Sequence, residues 1–143
     1  MYYILDANGK RVPFSESGLG KVVEDITAVR TLTLEDSGKE LIFKASAGVA
    51  ITLPSVAVKG FNVKFITGLA FATTNFTIVS ATNVIQGGAI VNSVFVPAVN
   101  ENTISFVASA ETVGDYITIT CDGTNFYVEG VGASAGAITF TAP

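Results

Sequence analysis

Histidine and tryptophan are both absent from this chain of 143 residues, and a single Cys stands at position 121. The side chains left for chemistry are 12 carboxylates, 8 Lys or Arg, and scattered hydroxyls. Without His there is no Ser-His-Asp triad, no Cys-His pair and no imidazole-bound zinc. One Cys excludes cysteine-rich metal centres. A two-carboxylate hydrolase stays formally open, and Asp36, Asp115 and Asp122 would have to carry it. These acids, with Glu35, stand in turn-rich sequence, where Asp commonly accepts hydrogen bonds from its own backbone. Asp36-Ser37-Gly38 lacks the further oxygen ligands of a calcium loop. Gly18-Leu19-Gly20-Lys21 lacks the spacing of a phosphate loop and the Ser or Thr after its Lys. Gly87-Gly88 reads as a tight hairpin turn. Phe61, Phe65, Phe71, Phe76, Phe95, Phe106 and Phe126 fall largely at alternating positions and read as a Phe-rich core; a ligand platform would more usually employ exposed Tyr and Trp. Cys121 lies in an apolar strand pattern, as a buried thiol would. The expectation is a protein that is not an enzyme and holds no metal or cofactor.

The elements that must position these residues are short. Val/Ile/Thr/Phe segments alternate in character and are broken by Gly, Asn, Asp or Pro about every ten residues. In Phe61 to Thr67, the residues Phe61, Val63 and Phe65 share one face. In Asp115 to Cys121, Tyr116, Thr118 and Thr120 oppose Ile117, Ile119 and Cys121. Asp122-Gly123 is a two-residue turn signal. Pro54 and Pro97 read as strand ends, because Pro cannot donate to a ladder. Ala89 to Val96 reads as one strand. No heptad pattern and no clear repeat is present. The pattern predicts an all-β fold: an antiparallel β-sandwich or jelly-roll-like barrel of about ten short strands, with an N-terminal arm. The expected core is Leu41, Phe43, Ile51, Leu53, Val63, Phe65, Ile78, Ile104, Phe106, Ile117, Ile119 and Phe126.

Composition shifts near Arg30. Residues 1–30 hold eight of the twenty charges, so they are read as an arm or anchoring segment, and residues 31–143 as the β-sandwich domain. Within the arm, Tyr2 to Leu5 and Lys10 to Phe14 could pair across a turn. A monomer of this mass should expose roughly 7,000 Å². Twenty charges over that area is about half the density of an average domain, so part of the surface is expected to be buried between copies of the chain. The formal net charge of −4 and the lack of clustered Lys and Arg argue against a nucleic-acid partner. No run of 18 apolar residues predicts a membrane span. Residues 1–20 do not read as a signal peptide, so synthesis in the cytoplasm is expected.

Four stretches carry a resemblance. They are Leu32-Thr33-Leu34-Glu35-Asp36-Ser37-Gly38-Lys39, Val49-Ala50-Ile51-Thr52-Leu53-Pro54, Gly60-Phe61-Asn62-Val63-Lys64-Phe65, and Cys121-Asp122-Gly123-Thr124-Asn125-Phe126-Tyr127-Val128. Together, over roughly residues 31–130, they resemble small β-rich virion proteins of tailed bacteriophages: head decoration (cement) proteins, head fibres and tail appendages. The resemblance implies a structural virion protein that decorates and stabilises the outer surface of a phage head. It implies a homo-oligomer, often a trimer, with the major capsid protein as partner. The charged arm would seat it, with Tyr2, Tyr3, Lys10, Arg11, Lys21 and Arg30 as candidate capsid contacts. The alternative within the same resemblance is a tail-fibre or receptor-binding module that recognises a host surface glycan.

Overall fold

The computed structural model describes residues 3–5, 7–13, 21–56 and 58–143. The strands are β1 (Tyr3–Leu5), β2 (Arg11–Pro13), β3 (Val23–Ile26), β4 (Arg30–Thr31), β5 (Glu40–Phe43), β6 (Ala50–Thr52), β7 (Asn62–Thr67), β8 (Phe76–Val79), β9 (Ile85–Val91), β10 (Val94–Glu101), β11 (Thr103–Phe106), β12 (Tyr116–Cys121), β13 (Phe126–Gly132) and β14 (Ile138–Thr141). A single 3₁₀ turn, Leu34–Asp36, is the only helical element among the described residues. β1 and β2 pair with each other as an antiparallel hairpin. The others form a seven-stranded sheet in the order β10-β9-β13-β12-β7-β5-β3 and a five-stranded sheet in the order β14-β11-β8-β6-β4.

The all-β expectation holds, but the sheets are mixed rather than antiparallel. β3, β5 and β7 run parallel to one another in the larger sheet, and β4, β6 and β8 do so in the smaller. From β3 to β8 the chain steps from one sheet to the other at every element, so each strand lies beside the one two elements earlier. A parallel pair needs a long crossover, and here a strand of the opposite sheet supplies it. The steps are unequal, from Val23 to Glu40 to Lys64, which is why no sequence period announces them. β11 to β13 then add antiparallel partners, and β13 runs parallel to β9.

Alternation along each strand sends one set of side chains between the sheets. Leu41 and Phe65 sit in register with Ile117, and Ile51 and Ile78 in register with Ile104. Phe43 bridges the sheets: it stacks on Phe76 at 3.9 Å and on Phe65 at 5.6 Å between ring centroids, and meets Phe106 edge-on at 5.3 Å. All twelve expected core residues are buried, and so is Cys121. The Cys121 thiol donates to the Val56 carbonyl at 3.2 Å.

The division at residue 30 cuts through this fold. β3 is an edge of the larger sheet and β4 an edge of the smaller, and Ile26 is buried in the core. High charge density here marks an ion cluster inside the fold rather than a separate segment. The expected partner strands at residues 2–5 and 10–14 appear as β1 and β2 over their described parts.

Three local expectations are also corrected. The strand expected over Ala89 to Val96 is two strands, reversed at Asn92-Ser93, both with positive φ (49° and 66°). Such a pair suits the turns whose twist matches that of a hairpin. Gly87-Gly88 is not the turn but the middle of β9, at φ +115° and +154°. A Cβ at Gly87 would overlap the Val128 carbonyl of β13, and one at Gly88 would overlap the Phe95 ring. Finally, β10 continues through Pro97, because β10 is the outermost strand of its sheet and an edge strand tolerates a missing donor.

Candidate interaction surface

The acids that could have formed a catalytic pair are each occupied by the backbone. Asp115 is buried and accepts from the Thr112 and Ala133 amides at 2.8 and 2.9 Å. It thereby ties two loops together. Asp122 accepts from the Thr124 and Asn125 amides, both at 2.8 Å, closing the turn before β13. Those bonds, the one from Asn125 foremost, hold its carboxyl below the usual range. Asp36 accepts from the Thr33 amide at 2.9 Å. Among the described residues no three side chains of metal-binding type stand together, and no helix is long and apolar enough to cross a membrane.

Of the six candidate contact residues, Lys21 and Arg30 stand in separate ion pairs. Tyr2 lies outside the described residues. Tyr3 stands opposite Pro13, and Arg11 opposite Leu5, in the small hairpin. Lys10 is exposed beside it. Lys21 is exposed but donates to Glu40 at 2.8 Å. Arg30 is held by two carboxylates, Glu24 and Asp36. Lys39 donates to the same two acids, at 3.0 and 2.9 Å. The four charges join β3, β4, the 3₁₀ turn and the residue before β5. Burial works against the Asp36 carboxylate most strongly of any single influence, but the Thr33 amide, Lys39 and Arg30 together outweigh it and hold its pKa below the usual value. Hydrogen bonds from Arg30 and then Lys39 lower that of Glu24. Arg30 and Lys39 are raised in turn, chiefly by Glu24 and Asp36 respectively.

A different surface gathers what sequence reasoning missed. The register of the larger sheet places Phe95, Ile90, Val131, Tyr116, Ile66 and Ile42 side by side across six strands, on the face away from the core. Phe95 was expected in the core, yet it is 57% exposed. The two-residue turn at Asn92-Ser93 sets it in register with Ile90 rather than with the inward residues. The Phe95 ring lies over Gly88, where the lack of a side chain makes room for it. Val99 and Tyr127, exposed on either side of Gln86, extend the face along the strands. A shallow depression of about 290 Å³ opens between Phe95, Ile90, Tyr116 and Val131. Pro97, a strand interrupter on an otherwise uncharged stretch of β10, was the available signal for an exposed edge.

Three charges on this face are matched within it, whereas Glu129, exposed between Tyr127 and Val131 on β13, enters none of the ion pairs among the described residues. Lys64 sits 4.6 Å from the Tyr116 ring centroid, a cation–π contact. Glu40 lies in register with Lys64 and accepts from Lys21. The Lys21 bond, with Lys64 adding to it, lowers the Glu40 carboxyl. The opposite face of the molecule is different in kind. On the smaller sheet Thr31, Thr52, Val79, Thr103 and Thr141 form one outward row, and Ala50, Thr77, Ser105 and Thr139 the next, with no charge among them. Compared with known proteins, the chain matches no family model, no curated protein and no solved structure.

Proposed function

We propose that this chain is a structural virion protein, a capsid decoration (cement) protein that binds the outer surface of a phage head as a homo-oligomer, a trimer by the family resemblance, and stabilises the shell. Its two sheets are read as a β-sandwich of mixed strand direction. The observation that carries the proposal is the exposed apolar row of Phe95, Ile90 and Val131, extended by Val99. Contiguous exposed apolar surface is uncommon on monomers and marks sites of association. The two rows on the smaller sheet carry no charge, and the apolar row on the larger sheet has Glu129 beside it as its unmatched charge, so contacts made through the uncharged rows depend little on ion pairs and resist salt. Carboxylates bonded to backbone favour a structural over a catalytic role. Purified protein mixed with phage heads that lack it should bind to a fixed copy number and raise the temperature at which the heads rupture. Absence of saturable binding, or antibody labelling of tails alone, would sink the assignment.

One observation favours a second reading, a module that recognises a host surface glycan. Tyr127, Thr118, Thr120 and Glu129 line a shallow depression of about 240 Å³ next to the apolar row. A half-exposed aromatic ring flanked by hydroxyls and a carboxylate offers a stacking face and hydrogen-bond partners to a sugar. Retention on host polysaccharide that Tyr127→Ala abolishes would support this reading over decoration.

A further inference from the structure

We infer that Glu129, set among the rings of Phe95, Tyr116 and Tyr127, receives an arginine side chain of a partner protein; this rests on the decoration reading and deepens it by naming the chemistry the shell must present. Glu129 lines both depressions on the outer face of the larger sheet and is the only charged residue lining either. It is exposed and enters none of the ion pairs among the described residues. On one side of it stand Phe95, Ile90, Val131 and Tyr116, and on the other Tyr127, Thr118 and Thr120. Val128 pairs with Gly87 and Val131 with Ile90, which puts Glu129 opposite Gly88. Gly88 has no side chain, so the Phe95 ring lies over it, in the position neighbouring Glu129.

Charge and shape select the occupant. Lys64, the cation in the same row, is two strands away across Thr118 and sits on the Tyr116 ring instead. Lys44, just after β5, and Asp25 on β3 are farther still. A carboxylate amid apolar surface loses hydration when that surface is covered, and only a cation makes up the loss. An acidic partner would set like charges together, and a second copy of this face would bring another Glu129 to the contact. Arg suits the site better than Lys. Its planar guanidinium donates two N–H bonds to one carboxylate. It also stacks on aromatic rings and is more weakly hydrated than an ammonium. Its apolar stem matches Ile90 and Val131. Lys64 on Tyr116 shows that a ring of this face already holds a cation, at 4.6 Å from its centroid.

The test titrates the full isotope-labelled chain with the blocked peptide Gly-Leu-Arg-Leu-Gly and with its citrulline and lysine counterparts. The readout is the amide resonance shift at Gly88, Glu129 and Gly130. The shift at equal peptide concentration should be about threefold larger, or more, for arginine than for neutral citrulline, with lysine between them. Glu129→Gln should remove the difference between arginine and citrulline, and Phe95→Leu should reduce it. Glu35→Gln removes an exposed carboxylate outside both depressions and should leave the difference unchanged. Far-ultraviolet dichroism and melting confirm that each variant folds; if Phe95→Leu does not, the isosteric Glu129→Gln decides. Equal shifts for arginine and citrulline in the wild type, a difference that survives Glu129→Gln, or one that Glu35→Gln removes equally would overturn the inference. So would an oligomer that Glu129→Gln dissociates in light scattering, because the cation would then belong to a second copy. Retention on host polysaccharide that Glu129→Gln abolishes would overturn it in favour of a sugar. Head binding separates its failure from that of the decoration reading. Heads bound equally by wild type and Glu129→Gln remove only the arginine site, whereas an arginine preference in a chain that ignores heads removes only decoration.

Discussion

Two phenylalanines on neighbouring parts of the chain show how position outweighs residue type. Phe106 is buried between the sheets against Phe43, and Phe95 lies on the outside. Phe106→Ala should cost about 3–5 kcal/mol through lost transfer energy and the cavity left behind. Phe95→Ala should stay within about 0.5 kcal/mol, as surface changes do. Urea unfolding of the two variants measures both. Equal losses would place Phe95 inside the fold. Gly87 offers a second contrast. Its φ of +115° is unfavourable for any side chain, and a Cβ there would overlap the β13 backbone. Gly87→Ala should destabilise by about 2 kcal/mol. An exposed glycine in an open turn with positive φ, such as Gly136, carries the conformational penalty without the clash, so Gly136→Ala should cost less in the same titration.

At the scale of elements, the Glu24–Arg30–Asp36–Lys39 cluster joins strands that belong to different sheets. β3 and β4 are short and both are edges, so backbone pairing on one side alone holds each of them. Asp36 is the hub, with its side chain only 5% exposed. Asp36→Asn leaves Arg30 and Lys39 without a full counter-charge and should cost about 2 kcal/mol, less than the 3–5 of a fully buried pair because both cations are partly solvated. The pH dependence has a definite sign. The Asp36 and Glu24 carboxyls titrate lower in the folded protein than their usual values of 3.8 and 4.5. Their contribution is therefore complete above about pH 4.5 and is lost as pH falls through the lower folded values. Thermal melts of wild type and Asp36→Asn should differ most near neutrality and converge toward pH 3. Parallel curves down to pH 3 would mean that the cluster contributes nothing through ionisation.

For the whole molecule, the question is where the folded unit begins. Among the described residues, β1 and β2 pair only with each other, whereas β3 and β4 are sheet members. Removing residues 1–20 should leave the melting temperature within a few degrees. Removing residues 1–30 takes away β3, the buried Ile26, and both Glu24 and Arg30. That loss should exceed about 3 kcal/mol and lower the melting temperature by roughly 10 °C or more. Scanning calorimetry of both truncations discriminates the two boundaries, and equal melting would restore residue 31 as the start. The same distinction governs any test of the arm's role on a shell. Only the shorter deletion asks about the arm without also unfolding the strands behind it.

Local sequence determined the strand content, the inward face of most strands and the buried fate of Cys121. These depend on alternation with a period of two and on turn residues, both of which are written within a few neighbouring positions. The turns at Asp36, Asp115 and Asp122 were legible for the same reason, since an Asp bonds to amides close by in sequence. Strand order was not legible, nor was the mixing of parallel and antiparallel pairs. They depend on which distant segment lies alongside, and the uneven steps from Val23 to Glu40 to Lys64 leave no period to read. The outward row at Phe95 belongs to the same class. Its members come from six strands and become neighbours only through register, and the two-residue turn at Asn92-Ser93 decides on which side of the sheet Phe95 emerges.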